Sequence, residues 1–470
     1  MMFLRFELVV LLALLWGNVA HSQVYTLNSS EDSLTTAATL ESFAAGKSIV
    51  DDENLQEMLD GLKADIKGKV NPGHSGASMK VVGRVHADYW AFPETDPGID
   101  ALEGGPAGPQ SRLGFRRMRF GVRGDIAPNM EYRIEMEFAG GNNSEFRDAW
   151  LGFKDLPYFN KVLIGNQKRP YGLDHLNSSR FNVFLERPFI IESFNQDARR
   201  LGIASYNVSD DQAWNWRYGV YNQRLIQDEG QYTNDHLQPE FAARLANTYM
   251  YECDGQNYAH WALSTTFAYP DGSTLADNGK TGPDVNEARF RHRPEGRSGN
   301  RWLDTGVIPG ADNYQLLGIE KVFNFGPLQL VGEYQTMFLE RDAGADCNFH
   351  GGYVYASYFL TGEHMSWSRK SGTLGRIIPH ENFLGTTSED GSCQSGAGAW
   401  QIAARYSWAD LNSAGILGGE GESLTIGLNW YWNPYSRVQL NWIHGSIADN
   451  GAIGTGGDYD IIGTRFNVDF

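Results

Sequence analysis

The chain has 470 residues, 39 Lys and Arg against 57 Asp and Glu, a net charge of −18 and 41% hydrophobic residues. Its mean hydropathy of −0.41, with no long apolar run beyond the N-terminus, excludes a protein that crosses a membrane by helices, each of which needs ~20 consecutive apolar residues. The acidic balance argues against nucleic acid as a partner, and three cysteines exclude a disulfide-dense scaffold.

At the N-terminus, Arg5 precedes the apolar stretch Phe6–Trp16, and Ala20-His21-Ser22 supplies small residues before a cleavage point between Ser22 and Gln23. That layout predicts an export signal over residues 1–22, removed from the mature protein. A polar extension follows over 23–76. Within it Leu55, Met58, Leu59, Leu62 and Ile66 recur at helical spacing. The segment reads either as a short coiled coil or periplasmic plug, or as a linker carrying a marginal helix.

After Gly76 the hydrophobic period changes from 3.6 to 2. In the run Leu424–Trp432, Leu424, Ile426, Leu428, Trp430 and Trp432 share one face, and Thr425, Gly427, Asn429 and Tyr431 the other. Tyr132, Ile134, Met136 and Phe138 alternate in the same way with Glu131, Arg133, Glu135 and Glu137. A soluble sandwich would turn the apolar side to a dry core; a membrane barrel would turn it to lipid. Sixteen such blocks fit between Met79 and Phe470, joined alternately by tight turns and long loops, which favours the barrel. The expected fold is all-β: a 16-stranded antiparallel transmembrane β-barrel over 77–470, with short periplasmic turns, long extracellular loops and a small helical or disordered N-terminal extension. One connection breaks the pattern. Residues 361–397 fall on the short-turn side yet are long, which implies a missed hairpin or a segment folded under the barrel. The last strand places Ile462, Thr464, Phe466, Val468 and Phe470 on one face. Phe466, Val468 and the terminal Phe470 are therefore the expected signal to the barrel-assembly machinery.

The runs Phe115–Gly140, Ile164–Pro188 with its Gly-x-x-Lys-x-Pro-x-Gly-Leu core, Gly398–Asn412 and Leu424–His444 resemble strands of the phosphate-selective porin O/P family. The resemblance spans 77–470. It implies a passive outer-membrane channel, usually a homotrimer, with arginines laddered down the lumen and lysines clustered at the mouth to draw anions through.

The physics of such a ladder points to particular residues. A hydrated anion in a narrow pore loses part of its water shell, and fixed guanidinium groups replace those hydrogen bonds. Strand parity puts Arg117, Arg119 and Arg123 on the lumenal side of one strand, joined by Arg84, Arg133 and Arg405 from others. Lys168, Arg169, Arg180 and Arg187 lie in or beside the third long loop, which the family folds inward. The bland alternative is that these cations pair with lumenal carboxylates, of which Glu131, Glu135, Glu137 and Glu186 are at hand. Two departures count against phosphate in particular. Only 11 of the basic residues are Lys, so no mouth lysine cluster is visible, and the chain is acidic overall.

No zinc spacing, nucleotide loop or calcium loop rises above chance, so neither metal nor cofactor is expected. The reading is a porin for small hydrophilic solutes, including anions such as phosphate, with outer-membrane lipid around it and no catalysis. Two other classes compete: a secreted soluble β-rich carbohydrate-binding protein or glycosidase, and an outer-membrane structural anchor.

Overall fold

The computed structural model describes residues 77–140, 144–195, 198–226, 237–270, 288–342, 344–383, 396–451 and 456–470, together with the backbone of 386–387 and 393–394. The expected leader and the 23–76 extension lie outside the described residues.

Sixteen antiparallel strands close into one barrel. The first eight are β1 (Lys80–Thr95), β2 (Arg112–Ala127), β3 (Met130–Glu137), β4 (Glu145–Leu156), β5 (Phe159–Lys168), β6 (Arg199–Val208), β7 (Trp214–Asn222) and β8 (Pro239–Glu252). The rest are β9 (Asn257–Ala268), β10 (Ala311–Phe325), β11 (Leu328–Arg341), β12 (Cys347–Phe359), β13 (Ala399–Ser413), β14 (Ile416–Asn433), β15 (Ser436–Asn450) and β16 (Gly457–Asp469). Closure pairs β16 with β1 in the register Arg84↔Asp469 to Thr95↔Tyr459. Full closure removes the edge strands that would otherwise expose unpaired backbone.

The alternation resolves in favour of lipid outside. On β14, Leu424 and Ile426 are 42% and 43% exposed, whereas Thr425 and Asn429 are at 0%. The same holds on β16, where Ile462 and Phe466 face out and Arg465 and Asn467 are covered. A sandwich would invert this pattern, so the soluble reading fails on geometry.

Both ends of the described chain lie at one end of the barrel, called here the near end. Turns there are tight, as at 128–129, 157–158, 326–327 and 434–435. The Asp254-Gly255 pair is a plain turn of this kind, with φ of 52° and 87°. The far end carries longer loops, with two exceptions. Residues 342–346 and 414–415 are short, and the latter turns the β13–β14 hairpin at Ala414 and Gly415, both at positive φ.

Within the 361–397 connection, residues 365–376 rise into the barrel, whereas Phe383 packs against Trp430 and Trp432 at the near end. Residues Trp367–Ser368 pair with Thr373–Leu374 as a small hairpin, which reaches the inner wall. The Trp367 Nε1–H donates to Thr248 Oγ1 at 3.1 Å. Tyr258 donates to the Met365 carbonyl at 3.1 Å, and Arg244 and Arg217 donate to the carbonyls of Gly372 and Ser371 at 2.9 Å each. Alternation could not reveal this, because the segment's apolar residues are sequestered by lumenal side chains of distant strands.

From the far end, the loop 169–198 folds inward. It carries two short helices, α1 (Leu173–Leu176) and α2 (Phe189–Phe194). The α2 residues Phe189, Ile190, Ile191 and Phe194 are buried. Phe194 meets Phe290 edge-on at 5.5 Å, and Phe290 in turn meets Tyr314 of β10 and Phe349 of β12. One half of the lumen, beside β8–β14, is thus filled by the inward loops, packed through aromatic contacts and buried ion pairs. The other half is open.

Candidate functional site

The open half is a cavity of about 1070 Å³ along the wall formed by β1–β7. Its cationic lining follows from register. β1 and β2 pair Lys80 with Arg123, Arg84 with Arg119, and His86 with Arg117. Continuing across β3, Arg123 stands opposite Arg133. Like charges directly opposite one another destabilise a sheet, so these rows are not explained by wall stability. At about 3.3 Å per residue, Arg117 to Arg123 alone spread positive charge over about 20 Å of the wall.

A bulge adds to the row. Register slips between His86 and Ala87, so Arg116 and Arg117 both reach the lumen. Strand parity assigns only Arg117 to that side. Arg116 forms a forked pair with Glu186 at 2.8 and 2.9 Å. Bulges re-aim side chains in this way.

Eight of the ten cations expected on an anion path line the cavity: Arg84, Arg117, Arg119, Arg123, Arg133, Lys168, Arg180 and Arg187. They differ in how far they are neutralised. Arg84 donates to Ser179 Oγ at 2.8 Å and pairs with Glu135 at 3.2 Å, tying the inward loop to β1. Glu135 also takes Arg133 at 2.6 Å and Arg119 at 3.4 Å. Arg119 meets Glu137 at 2.6 Å. Among the described residues Arg117 has only His86 Nδ1 at 3.4 Å, and Arg123 has no salt bridge. Lys168 donates to the carbonyls of His175, Leu176 and Asn177 at 2.7–3.0 Å, holding the end of α1. Arg187 is paired with Asp174 at 3.1 Å and Arg180 with Asp469 at 2.9 Å.

The other two lie off the cavity. Arg169 is clamped between Glu240 at 2.6 Å and Tyr171, whose ring it covers. Arg405 bonds Glu295 at 2.6 Å and covers the Phe184 ring at 4.5 Å. Both brace the inward loops against the wall. Of the counter-charges, Glu131 meets Lys161 at 2.8 Å, and Glu186 joins Arg116 to Arg465, the latter at 2.7 Å.

The far mouth supplies what the lysine count left missing. The stretch 289–301, RFRHRPEGRSGNR, brings Arg291, Arg293, Arg297 and Arg301 to the cavity. Glu295 nails it in place by accepting from Phe189 N at 2.9 Å, Arg405 and Ser423 Oγ. Glu103 holds the other side through Asn300 N at 3.1 Å and Trp302 Nε1 at 2.9 Å. Crowding is severe enough that Arg297 is pushed down to about 10, first by the charge of Arg116 and then by burial. Burial, followed by Arg291 and Arg293, brings Arg301 to about 10 as well. Five arginines in 13 residues are legible in the sequence; that the loop turns inward is not. At the near end, Arg376 of the lumenal insert joins the lining, paired with Asp469 and lying over the Tyr435 ring at 4.6 Å.

Residues 79–470 match the family described as phosphate-selective porin O and P. The chain belongs to that family. As a phosphate-selective porin O and P family member it is an outer-membrane porin for passive diffusion, with the near end periplasmic. An uncharacterised protein of Caulobacter vibrioides is 26% identical over 404 residues, which cover 84% of this chain and 74% of that one. Among solved structures, the trimer form of OmpT from Vibrio cholerae covers 84% of this chain and 100% of its own at 11% identity and a TM-score of 0.50. The anion-selective porin from Comamonas acidovorans gives 16% identity, the same coverage and a TM-score of 0.47. The first is a likeness of fold alone.

Proposed function

We propose that this porin passes anions, and that the arginine-lined cavity is their path. The observation that carries the reading is the set of directly opposed cations on β1, β2 and β3, kept at a cost to the sheet and only partly balanced by Glu135, Glu137 and Asp148 of β4, which meets Arg199 at 2.8 Å and Arg133 at 3.5 Å. A passing anion supplies the missing negative charge. The graded, multi-site arrangement lets it leave again, since no single site holds it tightly. Arg291, Arg293, Arg297 and Arg301 act as the collecting field at the extracellular mouth. Reversal potentials in a KCl gradient across a planar bilayer test this: chloride preference is expected, and cation preference overturns it.

Residues 1–22 are removed on export, leaving Gln23 first, which N-terminal sequencing of the outer-membrane form checks. Phe466, Val468 and Phe470 face outward at the periplasmic rim and present the barrel to its assembly machinery; removal of Phe470 should lower the folded yield. Outer-membrane lipid surrounds the apolar band. A homotrimer fits the family's habit and the trimer form of the Vibrio cholerae protein, and cross-linking in membranes tests it.

A further inference from the structure

Trp150 is the tryptophan that neither the lipid girdle nor the buried core accounts for. Among the described residues, Trp90, Trp302 and Trp367 are buried. Trp214, Trp216 and Trp442 are 38–42% exposed on the outer wall. Trp150 instead faces inward from β4 and lines the cavity half-buried. Among the described residues its ring stacks on no other aromatic ring and no guanidinium covers it.

Its surroundings have a distinct layout. Across neighbouring strands the inward row reads Arg133↔Trp150↔Gly165↔Gly202. A guanidinium therefore stands on one side of the indole and bare backbone on the other. Gly165 has a φ of +135°, and a Cβ there would sit 2.7 Å from the Trp150 Cα and 3.0 Å from its Cβ. Leu163, another lining residue, extends the apolar strip one inward position along β5. An indole kept wet in a polar lumen is unfavourable surface, and a flat apolar body passing over it would remove that surface from water.

We propose that the pore favours anions carrying a flat apolar body, that is, aromatic carboxylates or aryl phosphates. The charged head is taken by Arg133 and its neighbours while the ring lies against Trp150. This deepens, and rests on, the anion-path reading above.

The test is block of the chloride current through the full-length porin in planar bilayers, comparing phenyl phosphate with methyl phosphate and benzoate with acetate. In the wild type the aryl member of each pair should half-block at about threefold to tenfold lower concentration, the range expected of one aromatic contact. That advantage should vanish in Trp150→Ala and Trp150→Leu and survive in Trp150→Phe, which keeps a ring. Should the Ala variant fail to assemble, the Leu and Phe variants carry the comparison. Equal block by both members of each pair in the wild type, or an advantage undiminished in Trp150→Leu, overturns the proposal. A wild-type channel with no chloride preference would instead overturn the anion path itself; chloride preference without an aryl advantage sinks only this inference.

Discussion

Asn177 and Leu374 meet in the middle of the lumen: the Asn177 Oδ1 accepts a hydrogen bond from the Leu374 backbone N–H at 3.0 Å. One residue hangs from the extracellular loop 169–198 and the other rises with the periplasmic connection 361–397. The two intrusions lock together and close half the bore, so solute is confined to the arginine side.

That lock makes Gly372 a sensitive position. It sits at the hairpin tip with φ +55°, where a Cβ would lie 3.0 Å from Asn215 Nδ2 and 3.1 Å from both Arg244 Nη1 and the His260 ring. Gly372→Val combines backbone strain of about 1–2 kcal/mol with those clashes. It should displace the insert, raising single-channel conductance and lowering ion selectivity. Unchanged conductance in bilayers would show that the hairpin does not limit the bore.

Removing Arg119 should cost more than one charge. Arg119→Ala leaves Glu137 without its 2.6 Å partner and weakens the balance at Glu135, so carboxylate is unmasked beside the path. Arg117→Ala breaks no ion pair among the described residues. Measured reversal potentials should therefore shift further toward cations for Arg119→Ala than for Arg117→Ala, with the double variant shifted most.

Glu186 joins Arg116 of β2 to Arg465 of β16 from the tip of the inward loop. Glu186→Gln strands Arg116, whose next carboxylate is Glu192 at 3.9 Å, while Arg465 keeps its forked pair with Asp88. Breaking a buried pair of this kind costs about 3–5 kcal/mol. The heating temperature at which folded gel mobility is lost should fall, and open-channel noise should rise as the loop loosens.

The mouth arginines act at long range, where salt screens them over about 10 Å at 0.1 M. Replacing Arg293, Arg297 and Arg301 together by Ala should lower anion conductance several-fold in dilute KCl and little at 1 M. An equal loss at both concentrations would place them in the constriction rather than in the collecting field.

The loop histidines predict a flat pH response. Burial, then the charges of Lys168 and Arg187, hold His175 well below its usual range; burial likewise lowers His292, against the pull of Glu192. Both stay neutral at pH 7. A lowered pKa means that protonation sets in only below the ordinary histidine value of about 6.5. Chloride preference should therefore be constant from pH 8 to pH 6, and a step centred near 6.5 would contradict the neutral assignment.

The sequence by itself determined the wall. Period-two alternation specified which face of each strand meets lipid, because a one-residue slip would bury charge in acyl chains. It thereby placed Arg84, Arg117, Arg119, Arg123 and Arg133 inward without any knowledge of neighbours. Only the tertiary structure decided what fills the bore. Arg116 reaches the lumen through a bulge that alternation cannot register, and Arg376 through a periplasmic segment whose partners lie on distant strands. Arg169 and Arg405 leave the path because Glu240 and Glu295 claim them from distant parts of the chain. Pattern fixes the side of a strand from local chemistry, whereas loop placement depends on long-range pairing of polar and aromatic groups that no local period encodes.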